Sequence, residues 1–376
     1  MPAPPRLLAR ALPLLFAVVI AAVYANSLGG GFHFDDEHAL RQNPFIRSLA
    51  HVPRFFVDPD TTTVLRENKD LRPLLLVTFA LNHAISGDAT WSYHLLNLVL
   101  HWLAVVLVFR IVRDHLWLAE AAVPVATAAA LVVAVHPLNT ETLDYLSARS
   151  ALLTTVFYLG AFDTAVRGRR GWALGLFAAA LLTKAIAVTL PLALAAYWLL
   201  ARRQGQAPPG ASRGFFAALV ALAAAGVLYR VALVPRAAVV ASHEAGVTPW
   251  IYCMTEWSAY LYYLRLFLWP DALVVDRLDY PVVRSFLAPQ AWASLLGLVL
   301  LAALAWRARR RCPALTFAAC WYAVTLAAES ADIPAELARF FAKVDAVAAG
   351  IAPRFRRLTA LTILLHLAAT LTALVV

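Results

Sequence analysis

The run FHFDDEHAL at positions 32–40 concentrates reactive side chains in a chain that is otherwise largely apolar. It places two neighbouring carboxylates, Asp35 and Asp36, between His33 and His38. A carboxylate that is ionised at neutral pH can accept a proton from an attacking hydroxyl, so the pair suggests general-base catalysis. The same pattern also suits an ordinary solvated loop. A divalent-metal site built from these four side chains is a further alternative, although consecutive residues chelate poorly.

Other polar side chains that suit the binding of an anion or a sugar fall at the ends of apolar runs. They are Glu37 and His38 beside the acidic pair, Arg72 in LRPLL, His94 in YHLLN, the residues His136, Glu141 and Arg149 of HPLNTETLDYLSARS, and Lys184 in TKAIAVTLP. Arginine and lysine hold phosphate by charge-assisted hydrogen bonds and stabilise negative charge as it develops. We therefore expect Asp35, His94, Arg149 and Lys184 to surround one outward-facing cavity that binds a lipid-phosphate sugar donor.

Two of these predictions have alternatives. His94, Asn97 and His101 share one helical face, and for Asn97 and His101 interhelical hydrogen bonding is the favoured interpretation. Lys184 either serves an anionic ligand or extends to the membrane interface. No glycine-rich nucleotide motif of the GxGxxG or Walker type is present, which argues against a soluble nucleotide donor.

The composition of the chain indicates that these residues belong to a membrane protein. The chain has 376 residues, of which 62% are hydrophobic and 14% charged, with a mean hydropathy of +0.71. These values exclude an ordinary soluble domain and indicate an all-α polytopic membrane protein. The net charge of +10 comes largely from arginine clusters at the ends of apolar runs. Such clusters indicate topology, and nucleic acid is not an expected partner.

Apolar runs of about 20 residues predict roughly ten transmembrane helices in one membrane domain over residues 1–376, with no soluble C-terminal domain. The predicted spans are 7–24, 93–111, 119–135, 151–166, 171–183, 186–200, 215–234, 291–306, 313–328 and 358–375. The long first extracytoplasmic loop covers about 26–92, and the third covers about 235–288 and includes an interfacial or re-entrant helix. Arg6 and Arg10 keep the N-terminus cytoplasmic, which puts FHFDDEHAL on the outer side.

At this point the sequence resembles a known family. FHFDDEHAL is followed in order by LRPLLLVTFALN, YHLLNLVLH, HPLNTETLDYLSARS and YLYYLRLFLWPDALVVD. The series resembles the membrane part of the transmembrane and tetratricopeptide-repeat O-mannosyltransferase family and its bacterial relatives, over about residues 10 to 290. Several motifs in a fixed order are more specific than any one of them.

The resemblance implies a glycosyltransferase of the GT-C fold. It implies a polyprenyl- or dolichyl-phosphate sugar donor, typically of mannose, and transfer on the extracytoplasmic side with inversion at the anomeric carbon. Carried over by position, Asp35 becomes the base and Asp36 its acidic neighbour, while Glu37, His38, His94, His136 and Glu141 fall at substrate-binding positions. Arg72, Arg149 and Lys184 are assigned to the donor phosphate by the physical argument above. No cofactor is implied, and a divalent metal stays an open alternative.

The sequence also departs from the family. Ala185 follows Lys184 where relatives usually carry an acid, and the tetratricopeptide repeats are absent. The expected acceptor is a protein Ser or Thr hydroxyl. A glycolipid or polysaccharide acceptor is one alternative, which the missing repeats favour, and a non-catalytic lipid transporter or flippase is another. Alanine- and arginine-rich usage favours a bacterial inner membrane.

Overall fold

The structure, a computed structural model, describes residues 6–65, 70–234, 249–271, 273–274 and 280–330. Across these ranges the chain is helical and has no β-strand, which confirms the predicted all-α class. The helices are α1 Arg6–Tyr24, α2 Val52–Phe55, α3 Pro73–Ser86, α4 Trp91–His115, α5 Ala122–Val135, α6 Asn139–Asp144, α7 Arg149–Val166, α8 Arg170–Leu181, α9 Leu190–Arg203, α10 Arg213–Leu233, α11 Pro249–Leu268, α12 Pro289–Ala308 and α13 Pro313–Ser330.

Five helical segments of the described chain are long and apolar enough to cross a bilayer. They are Ala11–Gly29, Trp91–His115, Ala185–Arg203, Arg213–Leu233 and Pro289–Ala308. Helices at 73–86, 119–135, 170–181 and 313–326 are apolar but shorter, and a crossing needs about 20 residues. The protein is therefore an integral multi-pass membrane protein, but its described residues do not support ten full-length crossings. The predicted final span, 358–375, lies outside the described residues.

Helix α4 lies at the centre of the bundle, where it packs against α1, α5 and α7. Ala126, Ala130 and Ala134 recur at every fourth position of α5 and are completely buried. Small residues at this spacing allow two membrane helices to approach closely. On the α1 side, the rings of Phe16 and Phe109 meet edge to face with centroids 5.6 Å apart. The 25 residues of α4 place its two ends roughly 36 Å apart.

The first long loop is more structured than its sequence predicted. Residues 73–86, assigned above to the loop, form α3, which begins with Pro73 and ends before Gly87 at a positive φ of 60°. Short helical turns between Glu37 and Thr61 cover one side of α3. Leu40, Ile46 and Phe55 from those turns form one buried apolar cluster with side chains of α3. This cluster holds the acidic motif against the end of the bundle.

The opposite end of α4 carries a compact ion-pair cluster. The carboxylate of Asp163 in α7, almost fully buried, accepts hydrogen bonds from Arg110 at 2.8 Å, and from His115 and Arg167 at 2.9 Å each. A cavity of about 300 Å³ lies beside it, lined by Asp114, His115, Val166, Arg167, Tyr197 and residues 206–209. None of the predicted site residues lines this cavity. It therefore lies at the wrong end of α4 for the chemistry that the acidic motif predicts.

Candidate active site

The two aspartates of the acidic motif point in opposite directions. The side chain of Asp35 is 56% exposed, whereas Asp36 is completely buried. Phe34, immediately before them, has a φ of 50°, in the left-handed region that a bulky residue rarely adopts. A turn of π-helix, Glu37–Arg41, follows directly. Strained backbone of this kind persists where the surrounding contacts enforce it, and here it sits beside the candidate base.

Asp36 is held by contacts across the molecule. Its carboxylate accepts hydrogen bonds from the backbone N–H groups of His33 at 3.1 Å, Leu146 at 3.2 Å and Ser147 at 2.7 Å, and from the Ser147 hydroxyl at 2.6 Å. An ionised carboxylate has about four lone-pair sites, so these donors occupy its full capacity. Asp36 therefore anchors the first loop to the segment before α7 and has little capacity left for a substrate.

Asp35 is open on one side and supported on the other. Its Oδ1 lies 3.1 Å from His38 Nε2, and His38 Nδ1 lies 2.7 Å from the hydroxyl of Thr63. Tyr145 approaches from the second outer loop, where burial and the carboxylates of Asp35 and Asp36 raise the pKa of its phenol. Asp35 can therefore accept a proton from an incoming hydroxyl while its other face stays fixed.

Arg149 occupies a closed position inside the bundle. It is completely buried and donates to Asn97 Oδ1 and Asn82 Oδ1 at 2.7 Å each, to the Tyr93 carbonyl at 2.9 Å and to the Thr78 hydroxyl at 3.1 Å. Its guanidinium also lies 4.6 Å from the centre of a phenylalanine ring in α3. Four of its five donor hydrogens are thus used to join α3, α4 and α7.

The polar face of α4 is likewise internal. His101 Nε2 pairs with the Ala134 carbonyl at 3.2 Å, and the Asn97 amide donates to the Leu143 carbonyl at 3.1 Å. Both contacts are interhelical, as the favoured interpretation predicted. His94 is also fully buried; its Nδ1 lies 3.2 Å from the Leu143 carbonyl, while its Nε2 has no hydrogen-bond partner within the described residues. Asp35, His94, Arg149 and Lys184 were expected around one outward-facing cavity; the structure buries His94 and Arg149 completely and leaves Asp35 exposed.

The remaining predicted substrate residues are spread over the same end of the bundle. Glu37 bonds locally, to Arg41 at 3.3 Å and Gln42 at 2.9 Å. His136 Nε2 lies 2.9 Å from the Phe267 carbonyl, and the two rings stack with centroids 5.0 Å apart. The structure thus gives Glu37 a contact within its own turn and gives His136 a contact with α11.

A cationic cluster lies where α3 begins and α8 ends. Asp70 binds Arg72 at 2.7 Å and Arg230 of α10 at 2.8 Å. Partial burial would raise the pKa of Asp70, but the two guanidinium groups outweigh it and hold that pKa well below its usual range. Arg230 also donates to the Leu181 carbonyl at 3.2 Å, and the Leu74 N–H donates to the next carbonyl, that of Leu182, at 3.4 Å. Arg72 and Arg230 therefore converge near the turn that carries Lys184.

Lys184 has its own acidic neighbour. It sits in extended backbone, with φ −150° and ψ 144°, between α8 and the helical turn at 185–189. Desolvation raises the pKa of the Glu141 carboxyl and the Lys184 ammonium acts against it, which places the two charges within electrostatic range. Glu141, 43 residues earlier in the chain, thus supplies a negative charge near a lysine whose direct neighbour is Ala185.

Sequence reasoning missed three residues of this region: Asp70, Arg230 and Thr63. Arg230 left a readable signal, because it interrupts the apolar run of 215–234 near its end. Thr63 left none, since a threonine in a polar loop is unremarkable without its histidine partner. Among the residues that the structure describes, no group of three or more histidine, cysteine or acidic side chains is arranged to hold a metal ion.

Comparison with known proteins gives a consistent family assignment by similarity. The chain is 37% identical over 151 residues to protein O-mannosyl-transferase TMTC3 of Mus musculus, a match covering 39% of this chain and 16% of that protein. It is 31% identical over 285 residues to protein O-mannosyl-transferase Tmtc2 of Drosophila melanogaster, covering 70% of this chain and 30% of the relative. Human protein O-mannosyl-transferase TMTC2 is 32% identical over 146 residues, or 37% and 16% of the two chains.

These matches cover less than a third of each relative's length. No family model matches the chain, and no solved structure matches it. The shared name of the curated relatives is nevertheless the one that the ordered motifs predicted. The chain therefore resembles the protein O-mannosyl-transferases of the TMTC family.

Proposed function

We propose that the protein is a membrane glycosyltransferase of the GT-C type that transfers mannose from a polyprenyl- or dolichyl-phosphate donor to a Ser or Thr hydroxyl of a protein. The observation that carries this proposal is the division of the acidic pair. Asp35 is exposed and held from one side by His38, whereas Asp36 is buried and fully hydrogen-bonded. The names of the curated relatives support mannose as the sugar and protein as the acceptor.

In the proposed reaction, Asp35 is the base. The acceptor oxygen attacks the anomeric carbon while its proton passes to the Asp35 carboxylate. The bond between the anomeric carbon and the phosphate oxygen breaks, and its electron pair leaves on the lipid phosphate. Attack opposite the departing phosphate inverts the anomeric centre. The carboxyl then returns its proton to water, since its side chain is open to solvent.

The donor phosphate is assigned to the cationic end of α3 and α8. Arg72, Lys184 and the newly identified Arg230 supply the positive charge, and Asp70 fixes the two guanidinium groups. Such preorganised charge stabilises the negative charge that develops on a leaving phosphate. Arg149 is assigned to the support of the site, because four of its donors already have partners inside the bundle.

The reaction is placed on the extracytoplasmic side, following the arginine-rich ends at the opposite side of the bundle. Arg110, Arg113 and Arg167 all belong to the cluster at the far end of α4. A bacterial inner membrane was the expectation from composition, but the three relatives compared above are animal proteins. The proposal is therefore stated for the extracytoplasmic face of the membrane that holds the protein.

The test is sugar transfer in proteoliposomes from labelled polyprenyl-phosphate mannose to a Ser/Thr-containing peptide. The Asp35→Asn variant removes the basic carboxylate but keeps its shape, and we expect transfer to be lost. Asp88→Asn is the matched control, since Asp88 is 57% exposed and pairs with Arg47 rather than with Asp35 or His38. Equal transfer by both variants and the intact protein would falsify the role of Asp35. No transfer by the intact protein with this donor would reject the proposed reaction.

A further inference from the structure

Thr62 and Thr63, the last two of three consecutive threonines, connect the two halves of the candidate site. The hydroxyl of Thr63 pairs with His38 Nδ1 at 2.7 Å, on the side of Asp35. The hydroxyl of its neighbour Thr62 donates to the backbone carbonyl of Asp70, on the side of the cationic cluster. Successive side chains therefore reach in two directions, one toward the base and one toward the arginines.

The backbone of these threonines is fixed as firmly as their side chains. The buried amide of Asn43 donates to the Thr61 carbonyl at 2.9 Å and to the Thr62 carbonyl at 3.3 Å. The same amide donates to the Ala39 carbonyl at 3.0 Å, in the helical turn that carries His38. Because one side chain ties the threonine segment to that turn, the segment cannot shift without moving the motif.

Hydrogen-bond accounting shows how His38 is held. Thr63 Oγ1 already accepts the Leu65 N–H at 3.2 Å, so it can donate its own hydrogen to Nδ1 of a neutral ring. The ring then carries its hydrogen on Nε2, directed at Asp35 Oδ1, 3.1 Å away. If the ring is protonated instead, the Thr63 hydroxyl rotates and accepts from Nδ1. The contacts of His38 with Thr63 and with Asp35 are kept in both cases, so His38 can hold Asp35 whether its ring is neutral or protonated.

We propose that Thr62, Thr63 and His38 form a strut that fixes the position of the base relative to the donor-phosphate site. The chain of contacts runs from Asp35 through His38, Thr63 and Thr62 to Asp70, which in turn holds Arg72 and Arg230. This inference rests on the proposed function, because it treats Asp35 as the base and the arginines as phosphate ligands. Thr62 and Thr63 are positioning residues that act through His38, which itself touches the carboxylate of the base.

The strut predicts a specific kinetic effect. In-line transfer needs the acceptor oxygen, the anomeric carbon and the leaving phosphate at fixed distances, and a displacement of about 1 Å can cost on the order of 100-fold in rate. Thr62→Val and Thr63→Val keep the side-chain shape but break one link each. We expect each to lower kcat by about 10- to 100-fold and to change the donor KM by less than about 2-fold.

Two further variants separate positioning from general destabilisation. Thr63→Ser restores the hydroxyl, and we expect it to recover most of the lost kcat. Thr61→Val is the matched control, because the Thr61 hydroxyl donates to the nearby Asp58 carbonyl at 2.7 Å and touches neither the base nor the arginines. It removes a buried hydroxyl from the same segment, so it should lower the melting temperature but leave kcat close to that of the intact protein.

Hydrogen exchange tests the strut without catalysis. In Thr62→Val we expect faster amide exchange in both 35–43 and 70–76, because a break on the Asp70 side also frees the motif turn. In Thr61→Val the increase should stay within 58–65. Full kcat in Thr62→Val and Thr63→Val would overturn the strut while leaving the proposed function intact. Unchanged amide exchange in 35–43 and 70–76 of Thr62→Val would overturn the strut, and this test does not depend on the identity of the donor.

Discussion

Replacing Arg149 distinguishes a structural arginine from a phosphate ligand. Arg149→Met keeps the apolar stem of the side chain but removes the guanidinium and with it every donor. It leaves the Asn97 and Asn82 oxygens and the Tyr93 carbonyl without the partner that Arg149 provides. The Tyr93 carbonyl lies within α4 and keeps its helical N–H partner, so two buried acceptors are left unpaired. At about 1–3 kcal/mol each, they cost roughly 2–6 kcal/mol. Thr78 is not counted, since its hydroxyl also donates to the Leu75 carbonyl.

That loss is large relative to a typical total stability of about 5–15 kcal/mol. We therefore expect Arg149→Met to lower the midpoint of thermal unfolding sharply in nanodiscs, followed by the fluorescence of the 11 tryptophans. Arg110→Gln is the control: Arg110 is 41% exposed, and its partner Asp163 keeps His115 and Arg167. Asp163 stays paired and no buried group is left without a partner, so we expect a smaller loss of stability than in Arg149→Met.

Arg149→Lys completes the comparison. An ammonium retains the charge but not the planar set of donors that reaches two asparagines and a carbonyl at once. We expect a midpoint between those of the intact protein and Arg149→Met. If the unfolding midpoint of Arg149→Met equals that of Arg110→Gln, the buried hydrogen bonds of Arg149 do not stabilise the fold as argued. If Arg149→Lys keeps full stability and only raises the KM for the donor, Arg149 is a phosphate ligand.

Three further substitutions test separate parts of the structure. Asp36→Asn should lower both the unfolding midpoint and sugar transfer, because an amide cannot accept from all four donors of the buried carboxylate. Asp35→Asn should lower sugar transfer alone. Equal unfolding midpoints for the two variants would contradict these different roles. The lowered pKa of Asp70 means that its folded state releases a proton more readily than the unfolded state, so its stabilisation is present above about pH 4 and is lost as pH falls further. Asp70→Asn should therefore narrow the stability difference between pH 7 and pH 3 in urea unfolding, and an unchanged difference would count against the ion pairs. Gly210→Ala should unfold far more easily than Gly214→Ala, because a Cβ at 210 would lie 1.9 Å from a backbone carbonyl oxygen of α7 while one at 214 meets nothing within 4 Å; similar midpoints would exclude this close approach.

Local patterns predicted several helices closely. The apolar run 7–24 became α1 at Arg6–Tyr24, and the run 93–111 became α4 at Trp91–His115. The break at Lys184 was also predicted, because a charged residue there divides two short apolar runs. Such features depend on consecutive residues, which hydropathy reads directly.

Features that depend on distant partners could not be read in this way. The sequence predicts Arg149 at an outward-facing cavity, whereas the structure buries it. Its partners Thr78 and Asn82 belong to α3, where the sequence predicts a loop. The different orientations of Asp35 and Asp36 were equally hidden. Asp36 is fixed by donors 110 and 111 residues away, and no periodicity in a stretch of nine residues encodes such contacts.

The charges at the cationic end leave the proposed phosphate site with a net positive charge. Among the described residues, Arg72, Arg230 and Lys184 face the two carboxylates Asp70 and Glu141, which leaves one unit of net positive charge. A donor phosphodiester carries one negative charge, so binding it neutralises the site. As the bond to the sugar breaks, negative charge accumulates on the leaving phosphate, and its attraction to the same cations grows. In the proposed reaction the site would therefore stabilise the transition state more than the bound donor, which is the condition for binding energy to accelerate transfer.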